Sequence, residues 1–263
     1  MSVEYSGTGD PKRSLELLWG VQGPPRRGPK PKLTVDRIVT TAMALADADG
    51  LGALSMRRIA DELGVAAMSI YTYVPSKAEL IDVMVDRASG ELAPPPDVPP
   101  GGVRDAWRSG LEHIARQNWA LFHRHPWLLE ISTGRPPMGP QLIGKYEYEL
   151  RTVDGLGLTD VEMDSVIALV NGHAQSSAKS SVDAAQAERR TGMTDEEWWE
   201  ITAPVLETVI RPGDYPLGER VGTAAAQVYG GAIGPEHAFE FGLQRILDGI
   251  EVLIAARSAD HPR

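Results

Sequence analysis

The sequence predicts an all-α protein, and three observations carry that prediction. Apolar residues recur at intervals of three and four through most of the chain. The pattern is clearest near the end, where Phe239, Leu243, Ile246, Leu247, Ile250, Leu253 and Ile254 form one continuous stripe. Helix-capping residues (Thr34, Ser55, Ser76 and Thr194) stand just before such runs. No stretch alternates apolar and polar residues with the two-residue period of a half-buried strand.

Residues 1–32 read as a flexible extension. Within it, Leu15–Trp19 is an apolar knot that Ser14 can cap as a short helix. The stretch PPRRGPKPK, residues 24–32, favours an extended polyproline-like arm carrying Arg26, Arg27, Lys30 and Lys32. Residues 33–92 hold four helices. The first follows Thr34 and stops at Asp49-Gly50, with Ile38, Ala42, Leu45 and Ala46 on one face. The second follows Ser55, turns Ile59, Ala60 and Leu63 inward, and ends at Gly64. The third spans about 66–73 and is broken by Pro75. The fourth starts at Ser76, with Glu79 placed for a capping box, and runs to about Leu92.

APPPDVPPGG, residues 93–102, is a linker, and 103–263 form a second helical domain. There Trp107, Leu111, Ile114, Ala115, Asn118 and Phe122 step by three and four. Breaks fall at His125-Pro126, at Arg135–Pro140 and in RPGDYPLG, residues 211–218. Helical patterns cover 142–156, about 161–190, the run after Thr194, and 236–257.

A chain of 263 residues accommodates this two-part division, and 42% apolar with 24% charged residues is ordinary for a globular protein. Cysteine is absent, which excludes disulfides and cysteine metal sites and suits a reducing cytoplasm. No signal peptide is evident and no apolar run reaches the roughly 20 residues of a membrane span, so a soluble cytoplasmic protein is expected. The net charge of -10 is unevenly spread: residues 24–60 carry seven basic against three acidic side chains. Salt screens exposed charges beyond about 10 Å, so a basic patch can act within an acidic protein.

Enzyme signatures are missing. No GxSxG, P-loop, GxGxxG or HExxH occurs. His123 and His125 point to different faces of a helix, and His113 and His173 stand apart from other ligand types. No catalytic group, metal or cofactor is expected.

The second and third helices of residues 33–92 have the spacing of a helix-turn-helix. Such a motif needs a small residue at the helix crossing, a residue tolerant of the turn, and apolar pins for the second helix. Ala60, Gly64, and Val65 with Ile70 supply these in turn. With its flanking helices, this segment resembles the TetR family of bacterial transcriptional regulators. The resemblance runs over TVDRIVTTAMALADADGLGALSMRRIADELGVAAMSIYTYVPSKAELIDVM, from Thr34 towards Leu92. It implies a homodimeric regulator, usually a repressor, that is released from its operator by a small molecule. It also implies that 103–263 bind effector and dimerise, HRHPWLLEIS and FEFGLQRILDGIEVLIAARS looking familiar there.

The recognition helix has no Lys or Arg. Base readout then falls to Ser69, Thr72 and Tyr73, with Ala67 and Met68 as apolar contacts, for instance to thymine methyls. The hydroxyls of Tyr71 and Tyr73 can reach phosphates; Tyr73 is expected outward, whereas Tyr71 is divided between core and DNA. The resemblance places Arg57 and Lys77 at DNA-contacting positions, and Arg58 towards phosphate or solvent. The arm is open between minor-groove contact and a solvated leader.

Trp107, Asn118, Phe122, Trp127, Tyr146, Asn171 and Gln175 combine apolar walls with polar reporters and are the effector-pocket candidates, against a plain role in packing or a dimer seam. His173 cannot share the Asn171–Gln175 face. The tetracycline repressor's drug and magnesium residues find no match. A palindromic duplex operator demands a two-fold protein. The terminal stripe, with the small residues of 172–181, is the candidate interface; the alternative buries the stripe within one subunit. In the resulting mechanism, effector favours a separation of recognition helices that no longer fits about 34 Å, with the fourth helix and the linker transmitting the change. The competing class is a ligand-sequestering or adaptor protein whose helix-turn-helix no longer reads DNA.

Overall fold

The structure, a computed structural model, describes residues 4–21, 33–94, 106–132, 134–211, 213–229 and 234–260. Within them lie eleven α-helices: α1 (Pro11–Leu18), α2 (Val35–Asp49), α3 (Met56–Leu63), α4 (Ala67–Tyr71), α5 (Lys77–Ser89), α6 (Trp107–Arg124), α7 (Pro140–Arg151), α8 (Asp160–Thr191), α9 (Asp195–Val209), α10 (Pro216–Tyr229) and α11 (Pro235–Asp260). Among the described residues the only strand pairing is a short parallel one, β1 (Glu4–Tyr5) against β2 (Ile131–Ser132). The all-α expectation holds.

The predicted caps explain most helix starts. The side chains of Thr34, Ser55 and Ser76 accept the amides of Arg37, Arg58 and Ala78. Thr194 forms a full capping box with Glu197, and Thr159 forms another with Glu162 at the head of α8. Two expectations change. Glu79 does not return to the Ser76 amide; its carboxylate takes the Ser76 hydroxyl and the amide of Asp10. Helix α1 is capped by Asp10, because Pro11 presets the first turn one residue later; Ser14 lies inside the helix. Pro216 likewise starts α10 inside the segment expected to be loop.

The segment before the arm differs most from expectation. Residues 4–21 are folded: β1 pairs with the second domain, and α1 packs along α5. The arm residues Arg26, Arg27, Lys30 and Lys32 lie outside the described residues.

Two apolar cores hold the molecule together. The first joins Ile38, Val39 and Ala42 of α2, Ile59 and Ala60 of α3, Ile70 of α4 and Leu80, Ile81 and Met84 of α5. It also takes in Leu17 of α1 and Leu121, Trp127, Leu128 and Ile131 from beyond the linker. The helix-turn-helix unit is therefore continuous with the second domain. The second core packs α6, α8 and α11 around Leu111, Ile114, Val170, Ala174, Leu243 and Leu247.

This core corrects the expected dimer interface. Phe239, Leu243, Leu247, Ile250 and Ile254 are buried within one subunit, and Ile246 and Leu253 are half-buried. Each buried side chain of this size stabilises the subunit by about 1.5–3 kcal/mol, so the stripe is consumed before any partner arrives. Helices α9 and α10 behave oppositely: none of their described side chains is buried.

Candidate nucleic-acid interface and effector domain

Gly64 makes the turn between α3 and α4. It adopts the left-handed conformation, φ 66°, which glycine alone enters without steric cost. The amide of Val65 then bonds the carbonyl of Ala60 at 3.0 Å, closing the end of α3. Ile70 is fully buried and pins α4 from beneath, with Val65 and Ala67 packed against the same core. The outward face is left to Met68 (75% exposed), Tyr71 (43%) and Thr72, at i, i+3 and i+4.

The geometry sorts the predicted contact residues. Met68, Tyr71 and Thr72 share the exposed face, and Ser69 is half-buried beside it. Tyr73 is half-buried and packs on the first core, the reverse of the order expected for the two tyrosines. The reason is spacing: Tyr73 stands three residues after the buried Ile70 and turns to the same core, whereas Tyr71 stands three after the exposed Met68. Arg57 stands exposed on the first turn of α3. Arg58 is paired with Asp49 at the end of α2, with both side chains partly exposed to solvent. The Lys77 ammonium lies 3.5 Å from the carbonyl oxygen of Leu51 at the start of α5.

In the second domain, the pocket candidates separate into three groups. Asn118 is buried and donates to the carbonyl of Ile114 at 2.9 Å and to Asn171 Oδ1 at 3.1 Å. Asn171 donates to Glu149 Oε2 at 3.1 Å, and the Lys145 ammonium meets Glu149 Oε1 at 2.6 Å. Glu149 is only 1% exposed, so this chain is a buried polar network joining α6, α7 and α8. Burial and the charge of Glu149 raise the Tyr148 phenol well above its ordinary range. Neither Lys145 nor Glu149 was anticipated; their i, i+4 spacing was visible, but not their burial.

Trp107, at the start of α6, lies in the second core. The remaining candidates point elsewhere. Tyr146 is exposed and bonds Asp164 at 2.7 Å, and Gln175 is exposed. Phe122 and Trp127 belong to the first core, against the helix-turn-helix unit. An aromatic cluster also escaped prediction. Trp119 stacks on Phe239 at 4.4 Å between ring centroids, and His173 stacks on the same ring at 5.6 Å.

The seam between the two parts is polar and specific. His125, at the end of α6, is buried; its Nδ1 lies 2.7 Å from Asp47 Oδ1 on α2. Its Nε2 lies 3.1 Å from both oxygens of Glu91, just beyond α5. The Trp127 indole donates to the same Asp47 oxygen at 2.7 Å, and Arg124 donates to Glu91 at 2.6 Å. Burial raises the Glu91 carboxyl, but hydrogen bonds from Arg124 and His125 outweigh it and hold the group below its usual range. One histidine from the second domain thus bridges the first and last helices of the helix-turn-helix unit.

A helix-turn-helix with an exposed second helix, tied through a polar junction to a helical domain, defines a two-domain DNA-binding regulator. Comparison with known proteins makes this specific. Residues 99–254 match the model for the tetracyclin repressor-like C-terminal domain, and residues 38–84 match that for bacterial regulatory proteins of the tetR family. The HTH-type transcriptional repressor DrrR1 of Streptomyces coeruleorubidus is 46% identical over 260 residues, covering 98% of this chain and 92% of that protein. The TetR family protein ActR of Streptomyces coelicolor, solved in complex with actinorhodin, superposes with a TM-score of 0.66 at 26% identity, over 84% of this chain and 98% of ActR. Its complex with (S)-DNPA gives a TM-score of 0.62 at 27% identity, over 86% and 98%. The chain belongs to the TetR family of bacterial transcriptional regulators. No described helix is long and apolar enough to cross a membrane.

Proposed function

We propose that the protein is a homodimeric transcriptional repressor that grips a two-fold symmetric operator through α4 and releases it when a small organic molecule enters the second domain. The observation that carries the DNA-reading half is the face of α4. Met68, Tyr71 and Thr72 project together while Ile70 locks the helix from below. Hydroxyl and apolar contacts to base edges suit this face, with Arg57 and Lys77 placed at either end for phosphate.

The effector half rests on the buried network Asn118–Asn171–Glu149–Lys145 and the nearby aromatic cluster. Buried donors and acceptors give a small molecule its orientation, and aromatic faces give it area. Actinorhodin and (S)-DNPA, the ligands named for ActR, are the first compounds to test.

Dimerisation is assigned to the outward faces of α8 and α11, not the buried stripe. Val161, Leu169, Gly172 and Ser176 lie along one, and Phe241, Val252, Ala255 and Ala256 along the other. Two such pairs make a four-helix seam in which small residues permit close approach. Effector entering between α6, α7 and α8 shifts the end of α6. His125 then carries that shift to Asp47 of α2 and Glu91 beyond α5, changing the separation of the two α4 helices. A shift away from about 34 Å, one turn of DNA, ends simultaneous contact with both half-sites.

Fluorescence anisotropy on an operator recovered from random DNA tests this reading. Affinity should fall steeply with salt and fall again on adding an active small molecule. Binding indifferent to salt would point to a chain that no longer reads DNA.

A further inference from the structure

Helix α5 carries three buried carboxylates at i, i+3 and i+7: Glu79, Asp82 and Asp86. They form one acidic stripe along the helix. Burying three carboxylates without partners would be prohibitive, so the identity of their donors is informative. Glu79 accepts the amide of Asp10 at 3.0 Å. Asp82 accepts the Ser6 hydroxyl at 2.8 Å, the Gly7 amide at 3.0 Å and the Ser14 hydroxyl at 2.8 Å. Asp86 accepts the amides of Gln141 and Leu142 at 3.1 and 2.9 Å, in the first turn of α7. Residues 6–14 thus supply every donor to Asp82 and one of the two to Glu79, the other being the Ser76 hydroxyl, and the effector domain supplies those to Asp86.

The fit is close on both sides. A Cβ at Gly9 would lie 2.8 Å from the Glu79 carboxylate, and one at Gly139 would overlap the Asp86 carboxylate. Gly7, at φ 71°, lies under the backbone of Arg135, where a Cβ would be 2.9 Å from the carbonyl oxygen. The same segment reaches past α5 to the effector domain. The Ser6 amide bonds the carbonyl of Ser132 at 3.1 Å, and the Trp19 indole donates to the carbonyl of Met138 at 2.9 Å. Leu17 closes the contact in the first core.

We propose that residues 4–19 are a built-in strap that locks α5 to the effector domain and so holds the helix-turn-helix unit in its DNA-competent orientation. Helix α5 leads from the recognition helix to the effector domain, so its freedom sets how sharply the two α4 helices are positioned. With the strap seated, α5 is held from both sides by its own acidic stripe. With the strap gone, Asp82 loses its three donors and Glu79 keeps only the Ser76 hydroxyl, and the face of α5 that they occupy must hydrate. The inference rests on the DNA-reading assignment above, and the test separates the two.

The strap is unseated in the full chain by Gly7→Val together with Ser14→Val, which block its seat without touching α5. Hydrogen exchange is followed by mass spectrometry, and affinity is measured on an operator selected by the wild-type protein. Exchange of the amides in α5 should rise about tenfold or more while α8 and α11 stay protected. Operator affinity should weaken by about tenfold, since the competent orientation becomes a minor fraction. Should the valines prevent folding, Ser6→Ala with Ser14→Ala removes two of the three donors to Asp82, and the same changes should appear at smaller size. Unchanged exchange in α5 overturns the strap. Faster exchange with unchanged operator affinity overturns it as well, leaving only packing. A wild-type protein that selects no operator contradicts the DNA-reading assignment instead.

Discussion

His125→Ala is the sharpest test of the junction. The histidine is buried, and both ring nitrogens face carboxylates, Asp47 at 2.7 Å and Glu91 at 3.1 Å. Leaving a buried polar group without its hydrogen-bond partner costs about 1–3 kcal/mol. Here the cost is smaller, because both carboxylates are 32% exposed and keep other donors, Trp127 for Asp47 and Arg124 for Glu91. Water and those donors reduce the loss to about 1 kcal/mol for each contact. Truncating the ring beside Trp127 adds about 1 kcal/mol for the space left behind. The total is about 3 kcal/mol, a fall in Tm of roughly 6–10 °C for a chain of this size. Differential scanning calorimetry reads the stability, and operator titration with and without an active small molecule reads the coupling. The variant should still bind operator, but release should require more ligand. A Tm within about 2 °C of wild type, less than 1 kcal/mol, would refute the stabilising junction, and unaltered release would refute its role in transmission.

Other outcomes follow from the same geometry. Ile250→Glu puts a charge into the second core and should unfold the effector domain. Val252→Glu, on the opposite face of α11 and 70% exposed, should leave a folded monomer by sedimentation; a dimer would place the seam elsewhere. Glu162 caps α8 and pairs with Arg257 of α11, and these bonds, the arginine's foremost, lower its pKa to about 2. A depressed carboxylate stabilises the fold above its unfolded value near 4.5, and that stability is lost as pH falls towards 2. Thermal melts at pH 5 and 3 should therefore show wild type losing more than Glu162→Gln. Equal losses would mean that the α8–α11 tie contributes nothing.

Local signals made the helix-turn-helix legible: Thr34, Ser55 and Ser76 mark helix starts, Gly64 the turn, and Ile70 the pin. These depend on neighbours within a few residues. The terminal stripe was legible as a stripe but not by partner, since the same apolar period serves a subunit core and a dimer seam alike. The order of Tyr71 and Tyr73 turned on which residue anchors the helix: Tyr73 follows the buried Ile70 by three and Tyr71 follows the exposed Met68 by three. The strap was hidden because Ser6, Gly7 and Ser14 are ordinary residues until α5 brings Asp82 beside them, some seventy positions away. Buried charge is likewise invisible in sequence: Asp86 reads as a surface acid until the first turn of α7 covers it, and Glu149 until α7 turns it towards Asn171 of α8.

The most direct test of the central claim is selection from random duplex DNA, run side by side with wild type and with Met68→Ala, Tyr71→Ala and Thr72→Ala combined. Wild type should enrich a two-fold symmetric site whose half-sites lie about one helical turn apart. The triple variant, folded and dimeric, should enrich none. Recovery of the same site by both proteins would contradict DNA reading by α4.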